Sequence, residues 1–138
     1  MRYPLSFEVL HEYDPRTDGI TVPVVLGVGR RDLRIVAKVD TGAAVCVFER
    51  EHGEDLGLDI EAGQPLQIAT ASGSFLAYGH DVSLSTFGFQ FDVVAYFAFQ
   101  YGFPRNVLGR RGWLEQVRLG IVDYDRKLYV SRYSDGNQ

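Results

Sequence analysis

The sequence predicts a mainly β domain, and three observations support this class. Apolar and polar residues alternate with a period of two through most of the chain, turn-forming glycines separate the alternating segments, and helical patterns are confined to two short places. The 138 residues, 46% of them hydrophobic, are enough to bury a core within one compact domain. We therefore expect a single domain over residues 1–133 and a disordered tail over residues 134–138.

Two hairpins are predicted in the first part of the chain. Apolar residues at every second position from Ile20 to Val28, and again from Leu33 to Val39, indicate two strands that bury one face. A second pair places Leu66 and Ile68 before a turn at Thr70 to Ser74, with Val82 and Leu84 after it.

Later segments predict one long strand, a last hairpin and two short helices. Phenylalanine, valine and alanine alternate with other residues from Phe87 to Phe99, which is typical of a strand that lines a core. The final apolar stretches, Ile121-Val122 and Leu128 to Val130, predict a hairpin. Helices are predicted from Glu49 to Leu56 and from Arg110 to Leu119, because a glycine follows each segment directly.

The charge and cysteine content limit the partners and the compartment. Fourteen basic residues stand against 18 acidic ones, a net charge of −4, and no basic run occurs, so we expect no nucleic-acid partner. No apolar run approaches the ~18 to 20 residues of a membrane helix, so we expect no membrane partner. Cys46 alone cannot form an intrachain disulfide, and Met1 to Leu10 lacks the apolar stretch of a signal peptide. The expected location is the cytoplasm.

The acidic residues around His52 are the nearest approach to a metal-binding pattern. Glu49, Glu51, Glu54 and Asp55 flank this histidine. Their spacing fits a solvated acidic helix better than a metal site, which needs ligands that converge on one point. We therefore expect neither a metal nor a cofactor.

The segment Val39 to Ala43 is the strongest candidate for chemistry. Asp40 ends an apolar strand, and Thr41 and Gly42 follow it in a small turn. An aspartate at a strand end is also a common turn former, so a purely structural interpretation stays open. The apolar surroundings favour a functional one, because burying a charged carboxylate is costly unless it is paired, hydrogen-bonded or neutralised.

A second element, Asn106-Val107-Leu108-Gly109-Arg110, follows later in the chain. Together the two elements resemble the retropepsin-like aspartic proteases, in which an Asp-Thr/Ser-Gly loop and a later apolar-apolar-Gly element build each half of the site. The resemblance spans about residues 20–130. It implies a closed, six- to eight-stranded acid-protease barrel with one or two short helices.

The resemblance also implies roles for single residues. Asp40 would be the catalytic carboxylate, Thr41 would hold two half-site loops together through its hydroxyl, and Gly42 would allow close approach of backbone and substrate. The implied substrate-binding residues are Ala43 and Ala44, the tip of a flap at Ala71, Ser72, Gly73 and Ser74, and Val107 and Leu108 behind the loop. Ala44 stands where retroviral members carry an aspartate that pairs with the arginine after the later glycine, so Arg110 has no expected partner.

Aspartic proteolysis needs two carboxylates that share one proton, and this chain carries one such loop. Asp81, Asp92 and Asp123 are not followed by Thr-Gly. The second carboxylate should therefore come from Asp40 of a second chain in a homodimer. The predicted function is an aspartic endopeptidase that hydrolyses peptides or proteins. The alternative is a non-catalytic, protease-like β-barrel module that binds peptide or mediates self-association.

Overall fold

The computed structural model describes residues 1–134, which form ten strands, one α-helix and three 3₁₀ turns. The strands are β1 (Val9–Glu12), β2 (Thr21–Val28), β3 (Arg31–Val39), β4 (Val47–Phe48), β5 (Gln64–Thr70), β6 (Gly73–Thr86), β7 (Phe89–Ala98), β8 (Val107–Leu108), β9 (Val117–Val122) and β10 (Lys127–Arg132). The helix α1 is Arg50–Asp55, and the 3₁₀ turns are Ile60–Ala62, Leu114–Gln116 and Asp123–Asp125.

Six of these strands close into a barrel. Their order is β2, β3, β8, β4, β7 and β6, and β6 returns to β2 through the pairing of Val25–Gly27 with Ser83–Ser85. Strand β5 continues this sheet beyond β6, while β1, β10 and β9 form a separate three-stranded sheet. The predicted mainly β class and closed barrel of six to eight strands are confirmed.

One hydrophobic core joins the barrel to the three-stranded sheet. Leu26 and Phe97 from the barrel, Leu128 from β10, and Trp113 between the two sheets are each fully buried. The indole nitrogen of Trp113 donates a hydrogen bond of 3.0 Å to the hydroxyl of Thr86, so the polar atom of this buried ring is satisfied.

The predicted hairpins are present as β2 with β3, β5 with β6, and β9 with β10. Each is antiparallel, and β7 follows β6 as the predicted long strand. The aromatic stripe of β7 lines the core as predicted, but both predicted ends are wrong. Phe87 lies in the β6–β7 turn with a φ of +53°, and Phe99, which follows β7, is 47% exposed. The helix predicted at Glu49 to Leu56 is also present, and Gly57, at a φ of +85°, follows its C-cap.

The helix predicted from Arg110 to Leu119 is wrong. Gly112 has a φ of +107°, which interrupts any helix there, and a single 3₁₀ turn follows at Leu114–Gln116. From Val117 onward the chain is strand β9, because each of its residues pairs with β10. Tertiary pairing has overridden a local pattern that ended in a glycine.

Two further comparisons concern the ends of the chain. Strand β1, which the alternation does not reveal, pairs antiparallel with β10 over its four residues. Of the tail predicted at residues 134–138, Ser134 lies in an exposed turn and the rest lies outside the described residues.

Within residues 1–134, none of the helices has the length and apolar character needed to cross a bilayer.

Candidate active site

Strand β8 positions Asp40, because β8 lies between β3 and β4, the two strands that the loop of Asp40 connects. Strand β8 pairs parallel with β3 at Val39 and Leu108, and antiparallel with β4 at Val47 and Val107. The backbone nitrogen of Asp40 donates to the carbonyl of Leu108 at 3.0 Å. The loop from 40 to 46 therefore leaves β3, passes over the end of β8 and returns as β4.

Gly109 allows the loop to pass so closely over the end of β8. A Cβ atom at this position would lie 2.2 Å from the carbonyl oxygen of Val45 and 2.8 Å from that of Ala43. The next residue, Arg110, donates its backbone N–H to the Ala43 carbonyl at 2.8 Å. Any side chain at 109 would displace backbone atoms, so the apolar-apolar-Gly element has a steric reason for its glycine.

The carboxylate of Asp40 lies at the rim of the barrel and is accessible. The backbone nitrogen of Gly42 donates to its Oδ1 at 3.0 Å, and the side chain of Asp40 is 36% exposed in the single chain. Thr41 and Gly42 are themselves exposed. The apolar neighbours of Asp40 thus anchor the loop from below and leave the acid free to meet another molecule.

The carboxylate opens into a cleft of about 490 Å³ between the loop and the β5–β6 hairpin. The cleft is lined by Asp40, Gly42, Ala43, Ala44, Val45, Val47, Leu66, Gln67, Ile68, Ala69, Arg105 and Arg111. Its floor is apolar, because Leu66 and Ile68 of β5 pack against a small core around Val47. A volume of this size accommodates several side chains of an extended peptide.

The structure separates the predicted substrate-binding residues into three groups. Ala43 and Ala44 line the cleft beside Asp40. Val107 and Leu108 are buried behind the loop. The segment Ala71 to Ser74 forms the exposed tip of the β5–β6 hairpin, where Ala71 and Ser72 make the turn, and the base of that hairpin contributes Leu66 to Ala69 to the cleft.

Sequence reasoning missed Arg105, which contacts the candidate acid. One terminal nitrogen of its guanidinium lies 3.9 Å from Oδ2 of Asp40, and the group stacks 5.6 Å from the ring centre of Phe75. The Nε of Arg105 is buried and has no hydrogen-bond partner within residues 1–134. Its place directly before the element Asn106 to Arg110 was the available signal, because that element was already predicted to lie beside the loop of Asp40.

The other candidate groups have structural roles. Arg50, which is 8% exposed, donates to the carboxylates of Glu54 and Glu61, and this contact lowers the pKa of Glu61. Among residues 1–134 no three His, Cys, Asp or Glu side chains converge as a metal site would require. Burial raises the pKa of the Cys46 thiol to about 11, so this cysteine is no nucleophile at neutral pH.

Comparisons with known proteins agree with this geometry. A family model described as aspartyl protease matches residues 22–121, which include the loop of Asp40, the β5–β6 hairpin and Gly109. No match was found among curated proteins.

Among solved structures, the EIAV protease complexed with the inhibitor HBY-793 shares the fold, with a TM-score of 0.53 and 21% sequence identity. The match covers 70% of this chain and 86% of that one. The family model spans well over half of the 138 residues and includes every element that builds the cleft. The chain belongs to the aspartyl protease family and has the retropepsin-like fold.

Proposed function

We propose that this chain is an aspartic endopeptidase that acts as a homodimer, with one Asp40 from each chain in a shared site. The observation that carries the proposal is the placement of Asp40 on an open cleft, with Thr41 and Gly42 exposed beside it. A lone Asp-Thr-Gly loop supplies half of the machinery that peptide hydrolysis by carboxylates needs.

In the proposed site the two Asp40 carboxylates hold one proton between them, because two like charges so close together cannot both ionise. The ionised carboxylate takes a proton from a water molecule as the water oxygen bonds to the peptide carbonyl carbon. The protonated carboxyl donates to the carbonyl oxygen. A neutral tetrahedral diol results. The carboxyl that took the water proton then gives it to the nitrogen as the carbon–nitrogen bond breaks, and a hydroxyl of the diol returns its proton to the other carboxylate. An amine and a carboxylic acid are released, and the two carboxylates again share one proton.

The exposure of Thr41 supports the dimer. A threonine hydroxyl at the centre of a catalytic loop gains partners when a second loop faces it across a two-fold axis. Apolar side chains are also exposed on the three-stranded sheet and its turn: Leu10 is 50% exposed, Ile121 and Val122 are 43% exposed, and Tyr124 is 93% exposed. An interface that buried them would remove apolar area from water, which favours association.

The β5–β6 hairpin supports a role for its tip in covering the substrate. Its base lines the cleft through Leu66 to Ala69, while its tip at Ala71 to Ser74 is exposed. Gly73, with a φ of +148° and no atom near its missing Cβ, gives the turn conformational freedom. We include Ala71 to Ser74 in the substrate-binding surface for this reason.

The remaining parts of the proposal are the partner and the compartment. The partner is a peptide or protein that enters the cleft in an extended conformation. A reducing compartment such as the cytoplasm fits the single cysteine, Cys46, which is free and buried.

Cleavage of a mixed peptide library by the wild type and by Asp40→Asn tests the proposal. The amide keeps the shape of the side chain and cannot share the proton, so cleavage should fall at least about 10³-fold while fold and dimer persist. The matched control is Asp81→Asn, the same chemical change at an exposed position on β6, which should cleave as the wild type does.

The outcome also separates the proposal from its alternative. Full activity in Asp40→Asn would remove this residue from the mechanism. A wild type that binds peptides or associates with itself, and cleaves no member of the library at any pH, would instead identify a non-catalytic module on the same fold.

A further inference from the structure

We infer that Arg105 selects substrates with an acidic side chain, aspartate or glutamate, next to the scissile peptide bond. The inference rests on the proposed function, because it names the substrate class of the same cleft. It starts from a cation that lies beside the candidate catalytic acid and makes no side-chain hydrogen bond through its Nε within residues 1–134.

The charges that line the cleft differ in sign from the protein as a whole. The chain carries a net charge of −4, yet the charged residues of the cleft are Asp40, Arg105 and Arg111. In the proposed dimer, two copies of this lining would bring four guanidinium groups around two carboxylates that share a proton. A net positive cleft on an acidic protein attracts a peptide with negative side chains.

Arg105 is the better placed of the two cations. Its guanidinium lies 3.9 Å from Oδ2 of Asp40, a distance too long for a hydrogen bond but short enough to keep the group beside the reacting carboxylate. Consecutive residues of an extended peptide are about 3.3 Å apart. A substrate residue that contacts Arg105 is therefore within about one position of the bond that the water activated by Asp40 attacks.

The environment of Arg105 favours a planar carboxylate as its ligand. Phe75, on the β5–β6 hairpin, supports one face of the guanidinium at 5.6 Å. The Nε is buried and has no hydrogen-bond partner within the described residues. Since the buried Nε cannot be reached from the cleft, a substrate carboxylate would bind the terminal nitrogens of this side chain, which is 32% exposed, through charge-assisted hydrogen bonds. An aliphatic substrate side chain would offer these donors no acceptor.

Paired synthetic peptides test the inference. A library digest first locates cleavage sites, and one cleaved sequence is then made with Glu, Gln or Lys on each side of the scissile bond. At one of these two positions, the wild type should cleave the Glu peptide about tenfold faster in kcat/KM than the Gln peptide, and the Lys peptide most slowly. Gln has nearly the shape of Glu, so the ratio isolates the charge.

Arg105→Gln should abolish the tenfold preference, so that the variant cleaves the Glu and Gln peptides with equal kcat/KM whatever its absolute rate. Arg105→Lys keeps the charge and an alkyl stem against Phe75, so it should retain part of the preference and serves if Arg105→Gln does not fold. Arg30→Gln is the matched control. It removes the same charge from the β2–β3 turn, at the far end of β3 from Asp40, and should keep the full preference.

A wild type that cleaves the Glu and Gln peptides equally well overturns the inference, as does a preference that survives in Arg105→Gln. If the wild type cleaves nothing, the proposed function fails, and the same variants are scored by binding to immobilised Glu-rich and Gln-rich peptide pools. A preference for the Glu pool that depends on Arg105 would then support acidic recognition without catalysis. Equal binding to both pools would overturn the two proposals together.

Discussion

Replacing Gly109 by alanine should separate the steric role of this residue from the chemistry of Asp40. The added Cβ would lie 2.2 Å from the carbonyl oxygen of Val45, whereas ordinary contacts begin at 3.4 Å. The backbone of the loop must therefore move by about 1 Å. Overpacking of this kind costs about 1 to 3 kcal/mol.

The displacement also strains two hydrogen bonds that tie the loop to the residues after Gly109. These run from the backbone nitrogens of Arg110 and Arg111 to the carbonyls of Ala43 and Ala44, at 2.8 and 2.9 Å. Each contributes about 0.5 to 1.5 kcal/mol. The free energy of unfolding should fall by about 2 to 6 kcal/mol in total, so part of the variant should remain folded if the domain has ordinary stability.

Urea unfolding and peptide cleavage measure the two consequences. A shift of about 1 Å in a catalytic group costs on the order of 100-fold in rate, so the folded fraction of Gly109→Ala should be nearly inactive. The control is Gly120→Ala, whose Cβ would meet the end of the Phe7 ring at 3.1 Å, a side chain that can turn aside. If both variants unfold at the same urea concentration and both cleave normally, the steric argument for Gly109 is refuted.

Three further predictions follow from the same structure. Specific activity should fall on dilution, because each proposed site needs Asp40 from two chains, and a constant value at every concentration accompanied by a monomer in sedimentation would contradict the dimer. Native Cys46, whose pKa burial raises to about 11, should resist iodoacetamide at about pH 8 and react once urea unfolds the chain, with mass spectrometry as the measurement. Hydrogen bonds from Arg50 lower the pKa of Glu61, so this ion pair stabilises the fold above the unfolded pKa of the carboxyl and is lost as pH falls through the lower folded value. Arg50→Met should therefore lower the urea midpoint at about pH 7 and flatten its further decline toward about pH 3, and a parallel decline in both proteins would show that Glu61 is uncoupled from Arg50.

The hairpins of the barrel were predictable because their strands carry their signal locally, whereas the closed barrel was implied by the family resemblance and its two-residue strands β4 and β8 were not predicted. In β2, the residues Val22, Val24 and Leu26 are buried while the positions between them are more exposed, and this alternation is visible in the sequence itself. The loop of Asp40 was predictable for a similar reason, since the motif Asp40-Thr41-Gly42 directly follows an apolar strand. A pattern within a few consecutive residues can be recognised without knowing which distant segments pack against it.

The features that sequence reasoning missed depend on partners far along the chain. Strand β1 has four residues and exists through its pairing with β10, more than a hundred residues later. The local sequence from Val117 to Leu119 predicts the end of a helix, whereas pairing with β10 makes this segment a strand. Arg105 contacts Asp40 across 65 positions, and the alternation of apolar residues does not encode a contact between two polar side chains.

The loop of Asp40 combines a fixed backbone with a free side chain, and the proposed dimer needs this combination. Hydrogen bonds from Asp40 to Leu108 and from Arg110 to Ala43 hold the backbone, while the carboxylate contacts Gly42 and opens into the cleft. In a two-fold symmetric site any displacement in one loop is repeated in the other, so the error in the separation of the two carboxylates is doubled. A loop held by its backbone limits that error, and an accessible carboxylate lets the two chains meet without first breaking a hydrogen-bonded ion pair. The loose contact with Arg105, at 3.9 Å, satisfies the same condition, because it places a cation beside the acid without closing a hydrogen bond that substrate would have to displace.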